Sequence, residues 1–366
     1  MYVKTIVIDV DDTISTHVDR DYKNAIPHVD VISKINAMYA AGWKIVLHTA
    51  RGVLSLNGDV EKIEAERGPI LREWLDRHGV RYHELVFGKP LALAYVDDKA
   101  MRPDEFVRAD FGVLSGGSGS SIDRFGDRVI KTATNVREQT KWFKKFSRLG
   151  VDFVSAPKVI ASYHDVLDIE YVEGRSLNDS CESRHVSSLL RLIGEFSTIP
   201  PISDDWATMV SRVESHASLN SFPYQDEIMK IIRSESVASH MLAEASFCHG
   251  DMTLENAILT KDDRIYLIDP NTPDGVYTSW LLDLGKLYQS LRYDYEGTFR
   301  SSRSRVDKPA LLAYTNSLLD EEDRAYGALC ECVHYVRMIK YKNEPEKKLV
   351  MANISDLYEK VISECF

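Results

Sequence analysis

Short apolar runs alternate with longer amphipathic segments over the first hundred residues. Four runs have the length and apolar content of buried strands, at residues 3–8, 43–47, 84–87 and 93–96. Residues 30–41 and 60–78 have helical periodicity instead and are followed by Gly42 and Gly79. Strands that alternate with helices in this way predict an α/β domain with a parallel, doubly wound sheet.

Beyond residue 110 the pattern becomes mainly helical. Residues 122–131 have the pattern of strand, Gly–Asp turn and strand, residues 135–149 that of a helix, and residues 166–172 that of a strand. Further helices are predicted at residues 183–197, 206–216, 224–242, 309–319, 321–340 and 352–365. A Gly/Ser-rich stretch at 115–121 marks the change and predicts a domain boundary near residue 112.

Composition and charge exclude several classes of partner. The 366 residues carry a net charge of −11, which argues against a nucleic acid or an anionic membrane surface as partner. No apolar run approaches the roughly 20 residues of a membrane helix, and the N-terminus has no leader-like basic region. The five cysteines are scattered, and Cys330-x-Cys332 has no second pair at zinc-site spacing. We therefore expect reduced thiols and a cytoplasmic protein.

Three carboxylates follow the first predicted strand, at Asp9, Asp11 and Asp12. This is the carboxyl end of a strand, where open α/β sheets place their sites. Carboxylates so close together repel one another, and a hard cation such as Mg²⁺ would relieve that repulsion. A carboxylate can also act as a covalent nucleophile and form an aspartyl phosphate. The pattern therefore predicts a phosphoryl-transfer site with Mg²⁺.

Four motifs in this region resemble those of the haloacid dehalogenase (HAD) superfamily of phosphatases. They are Asp9-x-Asp11, Thr49 at a strand end, Lys89, and Asp97-Asp98. Residues 48–51, 88–90, 95–98 and 102–106 are similar to the small capsule-biosynthesis phosphatases. The gaps between the motifs, about 35 and 40 residues, leave no room for a large cap domain. The resemblance thus implies an open active site.

The same resemblance implies a role for each motif residue. Asp9 is the expected nucleophile, and Asp11 the acid that protonates the leaving oxygen and then the base for water. Thr49 and Lys89 are expected to hold the phosphoryl oxygens. The metal ligands implied are Asp9, Asp11, Asp97 and Asp98.

A second set of polar residues lies on two predicted strand fragments, at residues 249–256 and 265–269. Asp251 can orient or deprotonate a hydroxyl, and Asn256, five residues on, can point to the same place from one tight loop. Asp269 ends a β-branched run. One acid near the nucleophile, with an Asn and an Asp for a divalent metal, is what phosphoryl transfer from a nucleotide requires. With His249-Gly250 before it, the loop resembles the aminoglycoside phosphotransferase and choline kinase type of small-molecule kinase.

That resemblance implies a nucleotide site and a bilobal, kinase-like α+β fold. The cover loop would contain Gly116, Gly117, Ser118 and Gly119, although a flexible linker explains the same composition. Lys131 would contact the α and β phosphates of ATP or GTP and pair with Glu138, which is otherwise a helix-surface residue. The backbone at Glu170 and Val172 would contact the adenine. Asp283 is expected to brace the loop, and His249 to be structural.

Together the two resemblances predict a fused enzyme. Residues 1–112 would be a HAD-like phosphatase, 113–174 the small lobe of a kinase and 175–366 its mainly helical large lobe. The substrates would be a sugar or sugar phosphate in a cell-surface polysaccharide (capsule) precursor pathway, by family analogy. Two alternatives stay open. Either only one of the two sites is active and the other is a regulatory module, or the chain is a nucleotide-sensing scaffold that binds ligands with both halves and catalyses no reaction.

Overall fold

The computed structural model describes residues 4–17, 21–92, 95, 99–114, 120–201, 206–217, 221–271, 279–300 and 304–366. The chain forms two compact units, Met1–Thr132 and Ala133–Phe366. The boundary between the units therefore falls some twenty residues after the predicted domain boundary near residue 112, and each unit is described by itself.

The first unit is built of short strands and three described helices. Its strands are β1 (Thr5–Ile8), β2 (Ser15–Thr16), β3 (Ile26–Pro27), β4 (Lys44–Thr49), β5 (Glu84–Phe87), β6 (Phe111–Leu114), β7 (Ser121–Phe125) and β8 (Arg128–Thr132). Its helices are α1 (Val29–Ala40), α2 (Val60–Arg77) and α3 (Pro103–Arg108). The two predicted helices and three of the four predicted strands are confirmed; the fourth, at 93–96, lies largely outside the described residues.

The sheet of the first unit is parallel, as predicted. β4 lies between β1 and β5, with Ile8 opposite Leu47 and Thr49 opposite Phe87. The carboxyl ends of all three strands therefore meet at one edge, which brings the residues that follow β1, β4 and β5 together. β2 pairs with β3, while β6, β7 and β8 form an antiparallel ladder.

One hydrophobic core joins that sheet to the antiparallel ladder. Phe125 of β7 is buried in the same cluster as Trp43 and Phe106, and its ring lies 5.5 Å from that of Trp43. Lys4, just before β1, forms a 2.6 Å ion pair with Asp123 of β7, which is almost fully buried. The strands β6–β8 are thus an integral part of the first unit.

The second unit is mainly helical. Its strands are β9 (Val154–Ser155), β10 (Val159–Tyr163), β11 (Val166–Glu170), β12 (Arg175–Ser176), β13 (Ala257–Leu259) and β14 (Ile265–Leu267). Its helices are α4 (Val136–Phe146), α5 (Leu177–Ser180), α6 (Ser183–Ser197), α7 (Trp206–Ala217), α8 (Gln225–Ile232), α9 (Glu235–Ala243), α10 (Trp280–Arg292), α11 (Tyr295–Phe299), α12 (Lys308–Ser317), α13 (Glu321–Met338), α14 (Glu344–Leu357) and α15 (Ser363–Cys365). None of the helices in the described parts of the chain is long and apolar enough to span a membrane.

Three helix predictions need correction. The single helix predicted at 224–242 is two, because Ser234 caps α9 by accepting a hydrogen bond from Val237 N. The last helix begins at Glu344 rather than at 352, behind a capping box at Asn343, and passes into a π-helical turn at Tyr358–Ile362. α10 was not predicted at all: its first twelve positions are all buried, so apolar residues surround the helix and form no one-sided apolar stripe.

α10 and α13 pack closely at the centre of the second unit. A Cβ added to Gly285 would lie 2.7 Å from Glu331 N, and one added to Gly327 would lie 2.7 Å from Leu284. His334 of α13 contacts the Leu282 carbonyl oxygen across the same interface at 2.9 Å. The two glycines therefore allow the two helices to approach closely, and this packing makes α10 a rigid support for the residues that contact its other face.

Candidate active sites

The loop at residues 249–256 is held next to the end of β14 by backbone pairing. Ala257 of β13 lies opposite Leu267 of β14, and Ile268 N donates to Asn256 O at 2.9 Å. Asn256 and Asp269 therefore come together at one end of this hairpin, as the sequence predicted. Both bends are sharp: Gly250 has a φ of 80° and Asp269 one of 56°, values that favour Gly and tolerate Asp.

Two donors hold the side chain of Asp251. Asn256 Nδ2 donates to Asp251 Oδ2 at 3.0 Å and to its backbone oxygen at 2.9 Å. Lys286 Nζ lies 3.1 Å from the other carboxylate oxygen, Oδ1. Burial acts to raise the pKa of Asp251, but the charge and hydrogen bond of Lys286, together with smaller contributions from His249 and Arg300, outweigh it, so the pKa lies below the usual value. Asp251 is thus an ionised, oriented carboxylate.

One face of α10 supports the loop at three points. Asp283, Lys286 and Ser290 follow one another at i, i+3 and i+7, the spacing of a single helix face. Asp283 accepts hydrogen bonds from the backbone N–H groups of His249 and Gly250, each at 2.6 Å, and Ser290 Oγ accepts one from Leu254 N at 3.1 Å. Burial raises the pKa of Asp283 to about 7, although the two N–H donors act to lower it. The prediction that Asp283 braces the loop is confirmed.

His249 is a structural residue in this arrangement, as expected. Its side chain is fully buried, and Nε2 lies 3.0 Å from the Ile268 carbonyl oxygen, which can only accept, so Nε2 carries the proton. Burial lowers the pKa of His249 to about 4. The ring therefore stays neutral near pH 7 and ties the loop to the strand that leads to Asp269.

The α4 residue that contacts Asp269 is Gln139, one position after the predicted Glu138. Gln139 Nε2 donates to Asp269 Oδ1 at 2.7 Å and to the Pro270 carbonyl oxygen at 2.8 Å, and Gln139 is buried. Glu138 is half-buried on the same helix. Lys131 lies buried in β8, in the first unit, so its predicted pairing with Glu138 stays a prediction.

The other residues predicted for the nucleotide site are the Gly/Ser-rich loop and the backbone at the end of β11. Gly116, Gly117, Ser118 and Gly119 lie outside the described residues. β11 ends at Glu170, whose N–H donates to the Lys158 carbonyl oxygen at 2.9 Å, and Val172 follows the strand. That N–H is therefore used within the protein, and the predicted backbone contact of Glu170 and Val172 with adenine stays a prediction.

Asn256 and Asp269 fit a Mg²⁺ ion that also binds phosphate. The Asn256 amide nitrogen is committed to Asp251, which leaves its side-chain oxygen, and Asp269 supplies carboxylate oxygen. Within the described ranges no three or more His, Cys, Asp or Glu side chains form a group that could hold a metal. Mg²⁺ bound with phosphate needs no such group, because one or two protein oxygens, phosphate oxygens and water complete its shell.

The edge of the parallel sheet in the first unit carries a second polar cluster. Lys89 Nζ lies 2.9 Å from Asp9 Oδ2, and Lys89 N donates to the Thr49 carbonyl oxygen at 3.1 Å. Thr49 is fully buried, and its hydroxyl oxygen accepts from Arg51 N at 2.9 Å. The structure therefore brings together Asp9, Thr49 and Lys89, which the sequence predicted from three separate strand ends.

Asp11 has a partner that the sequence analysis did not assign. Arg51 Nη2 lies 2.6 Å from Asp11 Oδ1, and its Nε lies 3.3 Å from Oδ2, so the two groups pair through both oxygens. The guanidinium also stacks over the Tyr22 ring at 4.3 Å and is almost fully buried. Asp97 and Asp98 lie outside the described residues, so the predicted metal site at this edge stays a prediction.

The solved structures to which this chain is similar include the following three. A choline/ethanolamine kinase family protein from Mesorhizobium loti is 16% identical, with 69% of this chain and 89% of that chain covered and a TM-score of 0.49. An aminoglycoside phosphotransferase from Streptomyces rimosus, solved with ADP and streptomycin, is 17% identical over 61% and 92%, with a TM-score of 0.41. A structural target from Vibrio cholerae is 38% identical over 30% and 90%, with a TM-score of 0.29.

No curated protein matches the chain. The phosphotransferase enzyme family (APH) matches residues 114–315, which include Asp251, Asn256, Asp269 and Asp283. Residues 1–112 lie outside that match, so their resemblance to HAD phosphatases stays a prediction. Because the match takes in more than half of the 366 residues, the chain belongs to the phosphotransferase enzyme family, whose kinase-like members transfer phosphate to small molecules from a nucleotide.

Proposed function

We propose that the chain transfers the γ-phosphoryl group of ATP or GTP to a hydroxyl of a small molecule at Asp251. The observation that carries the proposal is the pair of contacts on its carboxylate, from Asn256 Nδ2 at 3.0 Å and Lys286 Nζ at 3.1 Å. They keep Asp251 ionised and oriented beside Asn256 and Asp269, which would hold Mg²⁺. Family membership supports the reaction class, and the site geometry supports these residues as its agents.

The proposed reaction balances in one step. The acceptor oxygen forms a bond to the γ-phosphorus, the bond to the bridging β–γ oxygen breaks, and its electron pair leaves with the nucleoside diphosphate. The acceptor proton passes to Asp251, which accepts it late because its pKa is low. Bound Mg²⁺ would offset the phosphate charge. By resemblance, residues 116–119, Lys131, Glu138 and the backbone at 170–172 would bind the nucleotide.

We propose a second activity, phosphate-ester hydrolysis, at Asp9 of the first unit. The 2.9 Å contact between Lys89 and Asp9, with Thr49 next to Lys89, favours this activity. A phosphoryl group bound to Asp9 would lie beside the Lys89 ammonium group, which would offset its negative charge. Asp9 would attack phosphorus, and the leaving oxygen would take a proton from Asp11. Water, deprotonated by Asp11, would then release phosphate from Asp9. Arg51 pairs with both oxygens of Asp11, so Asp11 must exchange that contact during turnover.

The proposed substrates are sugars or sugar phosphates of a cell-surface polysaccharide precursor pathway. This setting rests on the resemblance of residues 1–112 to capsule phosphatases. A kinase and a phosphatase that act on one phosphate would merely hydrolyse nucleotide, so we propose that they act at different positions. In the simplest version the kinase adds a phosphate at one position of a molecule and the phosphatase removes a phosphate from another position. The net result is a phosphate moved from one position of that molecule to another.

The test uses the full chain and a panel of sugars and sugar phosphates, with nucleotide consumption and ³¹P NMR as readouts. Asp251→Asn should lower nucleotide-dependent transfer to a residual rate, on the order of 10²- to 10⁴-fold below wild type, and leave ester hydrolysis unchanged. Asp9→Asn should abolish ester hydrolysis and leave transfer unchanged. EDTA should stop both reactions and Mg²⁺ restore them. If folded wild-type protein binds nucleotide but transfers no phosphate to any acceptor, the binding scaffold replaces the kinase. Hydrolysis that survives Asp9→Asn would remove the phosphatase proposal.

A further inference from the structure

Lys286 occupies an unusual position for a lysine. It lies in the middle of α10, its side chain is 11% exposed, and its Nζ is 3.1 Å from Asp251 Oδ1. The ring of Tyr295 lies 5.8 Å from the ammonium group. Because α10 is packed against α13 through Gly285, the helix that carries Lys286 has little freedom to move. Lys286 is therefore a fixed charge aimed at the carboxylate.

Stability does not explain a buried ion pair of this kind. Removing two charges from water costs several kcal/mol per ion, and apolar replacements of such pairs are often neutral or stabilising. The loop is already braced by Asp283 at His249 N and Gly250 N, and by Ser290 at Leu254 N. These three hydrogen bonds fix the backbone of the loop, whereas the Lys286 contact reaches the Asp251 carboxylate itself.

The two donors on Asp251 act on different oxygens and come from different elements. Asn256 belongs to the loop and takes Oδ2, while Lys286 belongs to α10 and takes Oδ1. Rotation of the carboxylate would break both contacts at once, so its plane is fixed. Each oxygen keeps a second lone pair, because a carboxylate has about four acceptor positions. A hydroxyl that approaches Asp251 therefore meets a lone pair of constant direction.

We propose that Lys286 is a positioning residue of the phosphotransfer reaction, which fixes the Asp251 carboxylate for the acceptor hydroxyl. The inference rests on the proposed kinase function of Asp251. Lys286 keeps its proton throughout; the acceptor proton goes to Asp251, and Lys286 makes no bond to either substrate in this role. Its effect is then confined to the rate of transfer, because misplacing a reacting group by about 1 Å costs on the order of 10²-fold.

The first experiment measures the kinetics of Lys286→Met, which keeps the apolar stem but removes the charge. We expect kcat to fall on the order of 10²-fold, while the KM for nucleotide stays within about twofold. Lys286→Arg retains a cationic donor and should recover at least part of the loss, on the order of tenfold. The matched control is Lys261→Met, which removes an exposed ion pair with Glu173 and should leave kcat unchanged.

The second experiment separates positioning from a merely structural role. If Lys286 acts through Asp251, the double variant Asp251→Asn/Lys286→Met should transfer phosphate at the same residual rate as Asp251→Asn alone. A structural role would lower the rate of the double variant by the same factor as in the wild-type background. If Lys286→Met fails to fold, the Arg variant decides, and full loss of transfer in folded Lys286→Arg overturns the proposal. An active wild type with an unchanged Lys286→Met also overturns it, whereas an inactive wild type refutes the kinase itself.

Discussion

Replacing Asp283 by Ala should loosen the start of the catalytic loop by a measurable amount. The Asp283 carboxylate is fully buried and accepts from His249 N and Gly250 N, each at 2.6 Å. A buried N–H left without its acceptor costs about 1–3 kcal/mol, so two of them cost about 2–6 kcal/mol. Part of this is offset, because ionising Asp283 in the folded protein is itself unfavourable, as its raised pKa shows. We expect a net cost of about 2–4 kcal/mol.

Amide hydrogen exchange measures this cost where it arises. Since 1.4 kcal/mol corresponds to a factor of ten, exchange at His249 and Gly250 should accelerate about 30- to 700-fold in Asp283→Ala. Asp283→Asn keeps one acceptor oxygen and should expose one amide more than the other. The control is Asp320→Ala, which removes the cap of α13 at a cost of about 1 kcal/mol without touching the loop. Unchanged exchange at both amides in Asp283→Ala would refute the bracing role.

The pH dependence of the same variant has a defined sign. The pKa of Asp283 is raised to about 7 in the folded protein, so between about pH 4 and 7 the folded state binds more protons than the unfolded state. The stability that wild-type Asp283 contributes is therefore greatest at low pH and falls as the pH rises through 7. Asp283→Ala should accordingly cost more free energy of unfolding at pH 6 than at pH 8, and the opposite order would refute this assignment.

Three further predictions concern stability. Burial and the charges of neighbouring lysine and arginine residues lower the pKa of His216 to about 4, so the free energy of unfolding of the wild type should fall as the pH drops from 6.5 to 4. In His216→Phe, urea unfolding should show a decrease over that pH range that is smaller by about 1–3 kcal/mol. Gly285→Ala should lower the free energy of unfolding by about 1–3 kcal/mol in the same assay, because the added Cβ would clash with the backbone of α13. In the control Gly194→Ala, in α6, the added Cβ has no atom within 4 Å, so this change should raise the free energy of unfolding by up to about 1 kcal/mol. Lys4→Met should cost about 1–3 kcal/mol, since it leaves Asp123 buried with one partner fewer, and a calorimetric melt of the full chain would detect it.

The elements that the sequence predicts well are those whose local signals agree. β5 has the predicted bounds Glu84–Phe87, and α6 has the predicted bounds Ser183–Ser197. The strands of the first unit are apolar and short, the helices end at glycines, and the site residues follow strand ends. Once the strands are parallel, Asp9, Thr49 and Lys89 must meet, because the carboxyl ends of parallel strands share an edge. The proximity of these three residues could therefore be predicted without the structure.

The residues that sequence reasoning missed depend on long-range packing. Lys286 and Ser290 lie on α10, which the apolar pattern did not reveal as a helix, so their contacts with the loop at 249–256 could not be deduced. Gln139 is different, because a local signal existed. The buried face of α4 contains Val136, Gln139, Thr140 and Phe143, the spacing i, i+3, i+4 and i+7, and Glu138 lies off that face. The helical period alone could have favoured Gln139 as the residue that points inward.

The boundary of the sequence family and the boundary of the folded unit differ, and the packing of β7 explains why. The family match begins at residue 114, yet β7 contributes Phe125 to the core of the parallel sheet and Asp123 to an ion pair with Lys4. A chain cut at residue 112 would expose the partners of Phe125, among them Trp43 at 5.5 Å, and would leave Asp123 without its cation. Exposing a buried aromatic ring and orphaning a buried carboxylate each cost several kcal/mol. The strands β7 and β8 thus belong to the phosphotransferase family match by sequence and to the first unit by packing. Loss of activity in a separated half would therefore report a damaged core rather than the chemistry of either site.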